Sequence, residues 1–182
     1  MPLIKNLLLV IVIITGLLFG ISLFLPSKWE VKRSAIIHAS ADAVFPFIND
    51  LHRWSQWYPW TRDMDVSMVS IYEGSETGVG SIKKWTGSDI KNGRIEIVKS
   101  LLNREVHYVF KSDQSKMIVY GSLVISKPEP GDVKITWTDR GDTGWSLLAR
   151  FSAGGIDEAI GKKFDEGLNK LKKIAEETSV RK

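Results

Sequence analysis

Asp139 is the residue of this sequence best placed for acid–base chemistry. Val133, Ile135, Trp137 and Asp139 alternate along one short run, so all four leave one face of a strand. Three of them are apolar, which predicts an inward face with the carboxyl at its inner rim. A buried carboxylate needs a partner, and Arg140 or Arg150 could supply one. The plainer alternative is a strand-end ion pair or a turn cap. The chemical alternative is a polar anchor, or an acid whose pKa is raised by burial. Asp142 is a lesser candidate of the same kind. No complete catalytic constellation accompanies Asp139 and Arg150.

Other chemistries lack their residues. There is no cysteine, which excludes disulfides, thiolate metal sites and cysteine nucleophiles. The three histidines, His38, His52 and His107, are far apart and form no His-x-His or His-x-x-x-His pair; no metal or other cofactor is expected. Gly78-Val79-Gly80 runs into a strand and not into a helix with Gly-Lys-Ser/Thr, so a hairpin turn explains it better than a phosphate loop. No Gly-x-Ser-x-Gly elbow exists for a hydrolase. The 25 basic and 21 acidic residues leave a net charge of +4, too mild to argue for nucleic acid.

The aromatic residues are the second concentration of chemistry. Trp54, Trp57 and Trp60 are spaced by three, on neighbouring positions of a helical turn that Pro59 stops. Trp85, Trp137 and Trp145 are scattered through later runs, with Tyr108 and Phe110 among them. Each alone reads as core. Together they suit an apolar pocket with a few polar groups. Trp57, Tyr58 and Trp60 have the further alternative of a membrane-interface contact.

The elements that must position these residues follow from periodicity. A first strand spans 29–38. Ser40 can cap the helix that follows, with Asp42 in its first turn and Val44, Phe45, Phe47 and Ile48 on its apolar side. After the tryptophan segment the period is two. The runs are Val66–Tyr72, Gly80–Thr86, Arg94–Ser100, Glu105–Lys111, Met117–Ser126 and Val133–Asp139. Short turns between alternating strands predict antiparallel pairing and seven strands in all. From Ile156 the apolar residues Ile160, Phe164, Leu168, Leu171 and Ile174 share one arc of a long helix. Ser152-Ala153-Gly154-Gly155 reads as a loop before it. The fold class is α+β: a seven-stranded antiparallel sheet gripping a long C-terminal helix, with two short helices after the first strand.

The amino terminus differs from the rest. Leu7 to Leu25 carries no charge and as a helix would reach about 28 Å, near the hydrocarbon thickness of a bilayer. The expectation is a single-pass membrane anchor with Trp29 at the interface; the alternatives are a cleaved signal or a buried helix. Residues 1–27 then form a stub and transmembrane helix, 28–178 the folded domain and 179–182 a tail. The short basic stub at Lys5 favours the folded domain on the extracytoplasmic side, although Lys28, Lys32 and Arg33 count the other way.

Four stretches, in this order and spacing, resemble the START/Bet v1-like superfamily of helix-grip proteins (SRPBCC), in its bacterial polyketide cyclase/dehydrase-like branch. They are Ala39–Phe45, Trp54–Trp60, Gly78-Val79-Gly80 with Trp85-Thr86-Gly87, and Trp137-Thr138-Asp139 followed by Gly141-Asp142, Ile160-Gly161 and Phe164–Leu168. The resemblance covers about residues 29–177 and implies an apolar cavity between sheet and helix. Its members bind or transfer hydrophobic small molecules, and a few catalyse cyclisation or dehydration. The branch also often carries one N-terminal apolar span.

The expected function is a membrane-anchored binder or carrier of a lipid- or polyketide-like molecule. The alternatives are a cyclase or dehydrase in the same cavity, or a tethered interaction module without ligand. A protein partner is not specified. The cavity is expected to be lined by Trp54, Trp57, Trp60, Trp85, Tyr108, Phe110, Trp137, Phe164, Gly167 and Leu168. Gly167 falls in the buried arc of the helix and Gly161 at its edge. Each is explained either by close helix–sheet approach or by space left for a ligand.

Overall fold

The computed structural model describes residues 2–24, 26–114, 118–127, 129, 131–144 and 147–180. Helix α1 is Pro2–Phe24. The sheet comprises β1 (Lys28–Ile37), β2 (Val69–Gly74), β3 (Ser81–Thr86), β4 (Gly93–Leu101), β5 (Glu105–Ser112), β6 (Ile118–Ser126) and β7 (Val133–Asp142). Helix α2 (Ala41–Asn49) and a single 3₁₀ turn (Arg53–Gln56) follow β1, and α3 (Leu147–Val180) follows the sheet.

From β2 to β7 each strand pairs antiparallel with the next, and β1 closes against β7, giving the order β1-β7-β6-β5-β4-β3-β2. The short turns dictate the first part of this order. At the β2–β3 hairpin, Gly78 and Gly80 adopt φ of 69° and 85°, the left-handed region that glycine enters freely. The hairpin reading of these glycines therefore holds. Ser40 caps α2, its hydroxyl accepting from the Ala43 amide at 3.3 Å.

One face of the sheet packs on α3. Phe164, Leu168 and Leu171 of the expected arc are buried there and Ala175 joins them, while Ile156, Ile160 and Ile174 are half-buried. The Phe164 ring stacks on Trp137 with centroids 3.8 Å apart and planes 5° apart. A second tie crosses the edge. Arg33 on β1 reaches over Gly161 and donates to Asp157 of α3 at 2.9 Å, with Asp165 at 3.5 Å. A side chain at 161 would occupy the guanidinium's place.

Three expectations are corrected. First, the helix does not begin after residue 155. It runs through Ser152-Ala153-Gly154-Gly155 from Leu147. Each glycine costs about 1 kcal/mol against alanine, but an established helix gains a hydrogen bond with every residue added.

Second, among the described residues no helix is long and apolar enough to cross a membrane. The single-pass anchor over 7–25, its membrane partner and the extracytoplasmic placement are withdrawn. Trp29 is not an interfacial aromatic either: it is buried, with its ring over Gly141.

Third, the Trp54–Trp60 segment is not a membrane-interface contact. Trp54 and Trp57 are fully buried and Tyr58 nearly so. Only the first tryptophan lies in the 3₁₀ turn. The Trp54 and Trp57 indoles donate to the Ile48 and Phe47 carbonyls of α2 at 3.0 and 2.9 Å. These bonds satisfy the end of a helix whose last carbonyls have no partner within it, and they draw the segment into the core.

Candidate functional site

The inward residues of the strands align in rows across the sheet. One row reads Val31, Asp139, Gly121, Tyr108 and Ile97 across β1, β7, β6, β5 and β4. The next reads Trp29, Gly141, Val119, Phe110, Ile95, Lys83 and Tyr72, from β1 to β2. In three places an inward aromatic ring lies flat over a glycine of the neighbouring strand. Tyr108 covers Gly121, Trp29 covers Gly141 and Trp85 covers Gly93. A Cβ at any of these glycines would run into the ring. The glycines thus let large rings lie along the sheet instead of standing up from it.

Asp139 takes its partner from this arrangement. The Tyr108 hydroxyl donates to Asp139 Oδ1 at 2.5 Å, and Trp137 Nε1 donates to the Tyr108 oxygen at 2.7 Å. The expected arginine is not there. Arg140, one residue further along the strand, points to the opposite face and pairs with Glu30, because successive side chains alternate. The Arg150 side chain and Trp145 lie outside the described residues.

Asp139 is therefore a buried carboxyl held by a neutral donor. Burial pushes it up to about 7, with the Tyr108 and Trp137 hydrogen bonds opposing that rise. The same burial, with the nearby Asp139 charge, pushes the phenols of Tyr108 and Tyr58 well above their ordinary value. A carboxyl that exchanges its proton near neutral pH can act as a general acid or base. The Tyr108 hydroxyl gives its one proton to that carboxyl and so holds the carboxylate form in place.

The residues expected to line a cavity are brought together, but they are tightly packed. Trp54, Trp57, Tyr108, Trp137, Phe164 and Leu168 are fully buried, Trp85 nearly so, and Trp60 and Phe110 half-buried. Gly167 leaves no gap. A Cβ there would meet Pro59 and Trp137 at 3.1 Å and the Trp57 carbonyl at 3.2 Å. Of its two explanations, close approach is the one realised. The Trp85 ring stacks on Phe110, centroids 5.8 Å apart, away from that contact.

Several polar groups on the inner face are unsatisfied among the described residues. The buried indole N–H groups of Trp29 and Trp85 have no acceptor. Lys83 is 3% exposed. Burial lowers its pKa to about 8, with no anion opposing the shift. Sequence reading missed Lys83, although Ser81, Lys83 and Trp85 alternate and Trp85 marks their face as inward. It also treated Tyr108 as an apolar wall. The histidines are accounted for locally: His38 lies 3.0 Å from Asp132, His107 3.1 Å from Glu105, and His52 stacks on Tyr72.

A helix-grip domain with a buried acid–phenol pair is the class that this fold and site define. The family profile described as polyketide cyclase / dehydrase and lipid transport matches residues 28–176, and the chain belongs to that family. Among proteins of curated function, none matches the sequence.

Solved structures share the fold at low identity. A Thermobifida fusca protein solved by NMR is 17% identical with a TM-score of 0.63, covering 82% of this chain and 94% of its own. A Staphylococcus aureus protein of unknown function is 12% identical with a TM-score of 0.62, covering 85% and 97%. A point mutant of Thalictrum norcoclaurine synthase, solved with a transition-state analogue, is 10% identical with a TM-score of 0.58, covering 80% and 94%. At such identities the likeness concerns the fold.

Proposed function

We propose that the domain binds and carries an apolar small molecule, lipid- or polyketide-like, against the inner face of the sheet. The observation that carries this reading is the pair of buried indole N–H groups, on Trp29 and Trp85, left without acceptors in an aromatic interior. Buried donors are almost always paired. A ligand with an apolar body and a few oxygens would supply the missing acceptors. Family membership supports the same class of ligand. The ligand contacts are Trp29, Trp85, Phe110 and Tyr108, with Asp139 behind them. The close-packed set around Gly167 (Trp54, Trp57, Trp60, Trp137, Phe164 and Leu168) forms the wall that the ligand rests on.

A catalytic reading has its own observation in the Asp139–Tyr108 pair. A carboxyl near pKa 7 can remove a proton next to a carbonyl, with the Tyr108 hydroxyl holding the carboxylate in place. That is the step with which a cyclisation or dehydration of a polyketide begins.

The test is native mass spectrometry of the full chain, freshly purified and after lipid extraction, joined to tryptophan fluorescence with decan-1-ol as the apolar probe. A bound mass removed by extraction and a saturable emission change are expected. No bound mass and unaltered emission at saturating probe would overturn the binding reading.

A further inference from the structure

Lys83 is the one buried ammonium on the inner face among the described residues, and it has no ion pair. Its Nζ lies 5.9 Å from the centroid of the Trp85 ring. It lines a cleft of about 400 Å³ together with Thr61, Arg62, Met68, Ser70 and Tyr72. Asp63 is on the rim of that cleft, but its carboxylate faces Lys170 of α3 at 3.9 Å and is 84% exposed.

An ammonium removed from water without a partner is costly. Its neighbour on β3, Lys84, points outward and pairs with Glu73 at 2.7 Å, so the protein does supply a partner where the lysine is solvated. The donor beside Lys83 on the same face, Trp85 Nε1, is also unpaired. A buried ammonium with no counter-charge, lining an open cleft, is the complement of an anionic oxygen.

We propose that Lys83 is the anion-binding residue of this domain and takes the carboxylate of an otherwise apolar ligand, with the carboxylate end in the cleft. This deepens the ligand-binding reading and rests on it. The carboxylate would complete the ammonium and strengthen as a charge-assisted pair away from water. Met68 and Tyr72 offer the first apolar contacts to the chain behind it.

The pH dependence has a fixed sign. An anion binds the protonated amine, so affinity falls as pH rises past the lowered pKa of the free protein, about 8. The groups facing Lys83 are Tyr72 from β2 and Arg62 and Asp63 from the segment after the 3₁₀ turn. Burial, and then Asp50, hold the Tyr72 phenol above its ordinary value, so it remains neutral in that window.

The experiment measures decanoate and decan-1-ol binding to the full chain by calorimetry between pH 7 and 9.5, for the natural sequence, Lys83→Met and Lys83→Arg. Lys83→Met is expected to fold, since it removes a desolvated charge. It should weaken decanoate by about tenfold or more, the usual weight of a hydrogen bond to a charged group. Decan-1-ol affinity should stay unchanged. Lys83→Arg should keep decanoate binding and lose its decline above pH 8. Equal decanoate affinity in the natural chain and Lys83→Met overturns the proposal while leaving the binding reading intact. Binding of neither probe by the natural chain overturns both.

Discussion

Tyr108 lies across Gly121 and sets its hydroxyl 2.5 Å from Asp139, a residue two strands away. The glycine is what makes the reach possible, since any side chain at 121 would occupy the plane of the phenol ring. The position of a buried acid is thereby tied to a residue with no side chain at all.

Gly121→Ala should therefore displace Tyr108 and destabilise the fold by about 1–3 kcal/mol, the usual scale of overpacking. Urea unfolding measures the loss. A fall in Tyr108–Asp139 proximity, read as a changed Asp139 carboxyl shift by NMR, should accompany it. Unchanged stability would show that the ring has room to move.

The Asp139 carboxyl titrates at about 7 in the fold, above the 3.8 of an ordinary aspartate. Between those values the folded state holds a proton that the unfolded state has released. Stability from this group therefore falls as pH rises from about 4 to about 7 and stays low above it. Asp139→Asn should remove that slope and be more stable than the natural chain at pH 8. Thermal unfolding at pH 5 and pH 8 gives the comparison, and parallel slopes for both proteins would contradict it.

The two helix glycines should behave oppositely. At Gly161 the obstacle is the far end of the flexible Arg33 side chain. Gly161→Ala gains up to about 1 kcal/mol of helix propensity and loses at most about 1 kcal/mol of a surface pair. The net change should be near zero. At Gly167 the obstacles are the Trp137 ring, Pro59 and a backbone carbonyl, and Gly167→Leu should cost roughly 1–3 kcal/mol or more. Denaturant midpoints of the two variants decide this, and a neutral Gly167→Leu would reveal space beside Trp137.

Asp65 organises the β3–β4 turn from a distance. Its carboxylate accepts from the Ser67 hydroxyl and amide and from the Ile90 and Asp89 amides. The Ser67 hydroxyl first, then the Ile90 amide, hold it at about 2. This contribution is present above about pH 4 and is lost as pH falls toward 2. Asp65→Ala should speed amide hydrogen exchange at Asp89 and Ile90 at pH 7 without altering β5 to β7. Unchanged exchange there would show that the turn holds itself.

Much of this architecture is written in local pattern. The alternation of Val133, Ile135, Trp137 and Asp139 marks one face of β7 without reference to any other strand. The spacing of Phe164, Leu168 and Leu171 marks the buried arc of α3, and short turns dictate antiparallel neighbours. These inferences need only the two-residue and 3.6-residue periods, which each segment carries by itself. Local composition also misleads. The Ser152–Gly155 stretch reads as a loop and is helix, because an established helix gains a hydrogen bond with every residue added.

What period alone does not contain is register between strands. A face says that Asp139 points inward, but only the pairing of β5, β6 and β7 brings Tyr108, Gly121 and Asp139 into one row. Register likewise decides that Lys83 stands between Tyr72 and Ile95 with no carboxylate opposite. The meaning of Gly167 depended on how near the helix approaches Trp137 and Pro59, residues 30 and more positions away in the chain. Sequence specifies which side chains turn inward; the packing of helix on sheet decides which of them meet, which are left unpaired, and whether a missing side chain is a contact or a space.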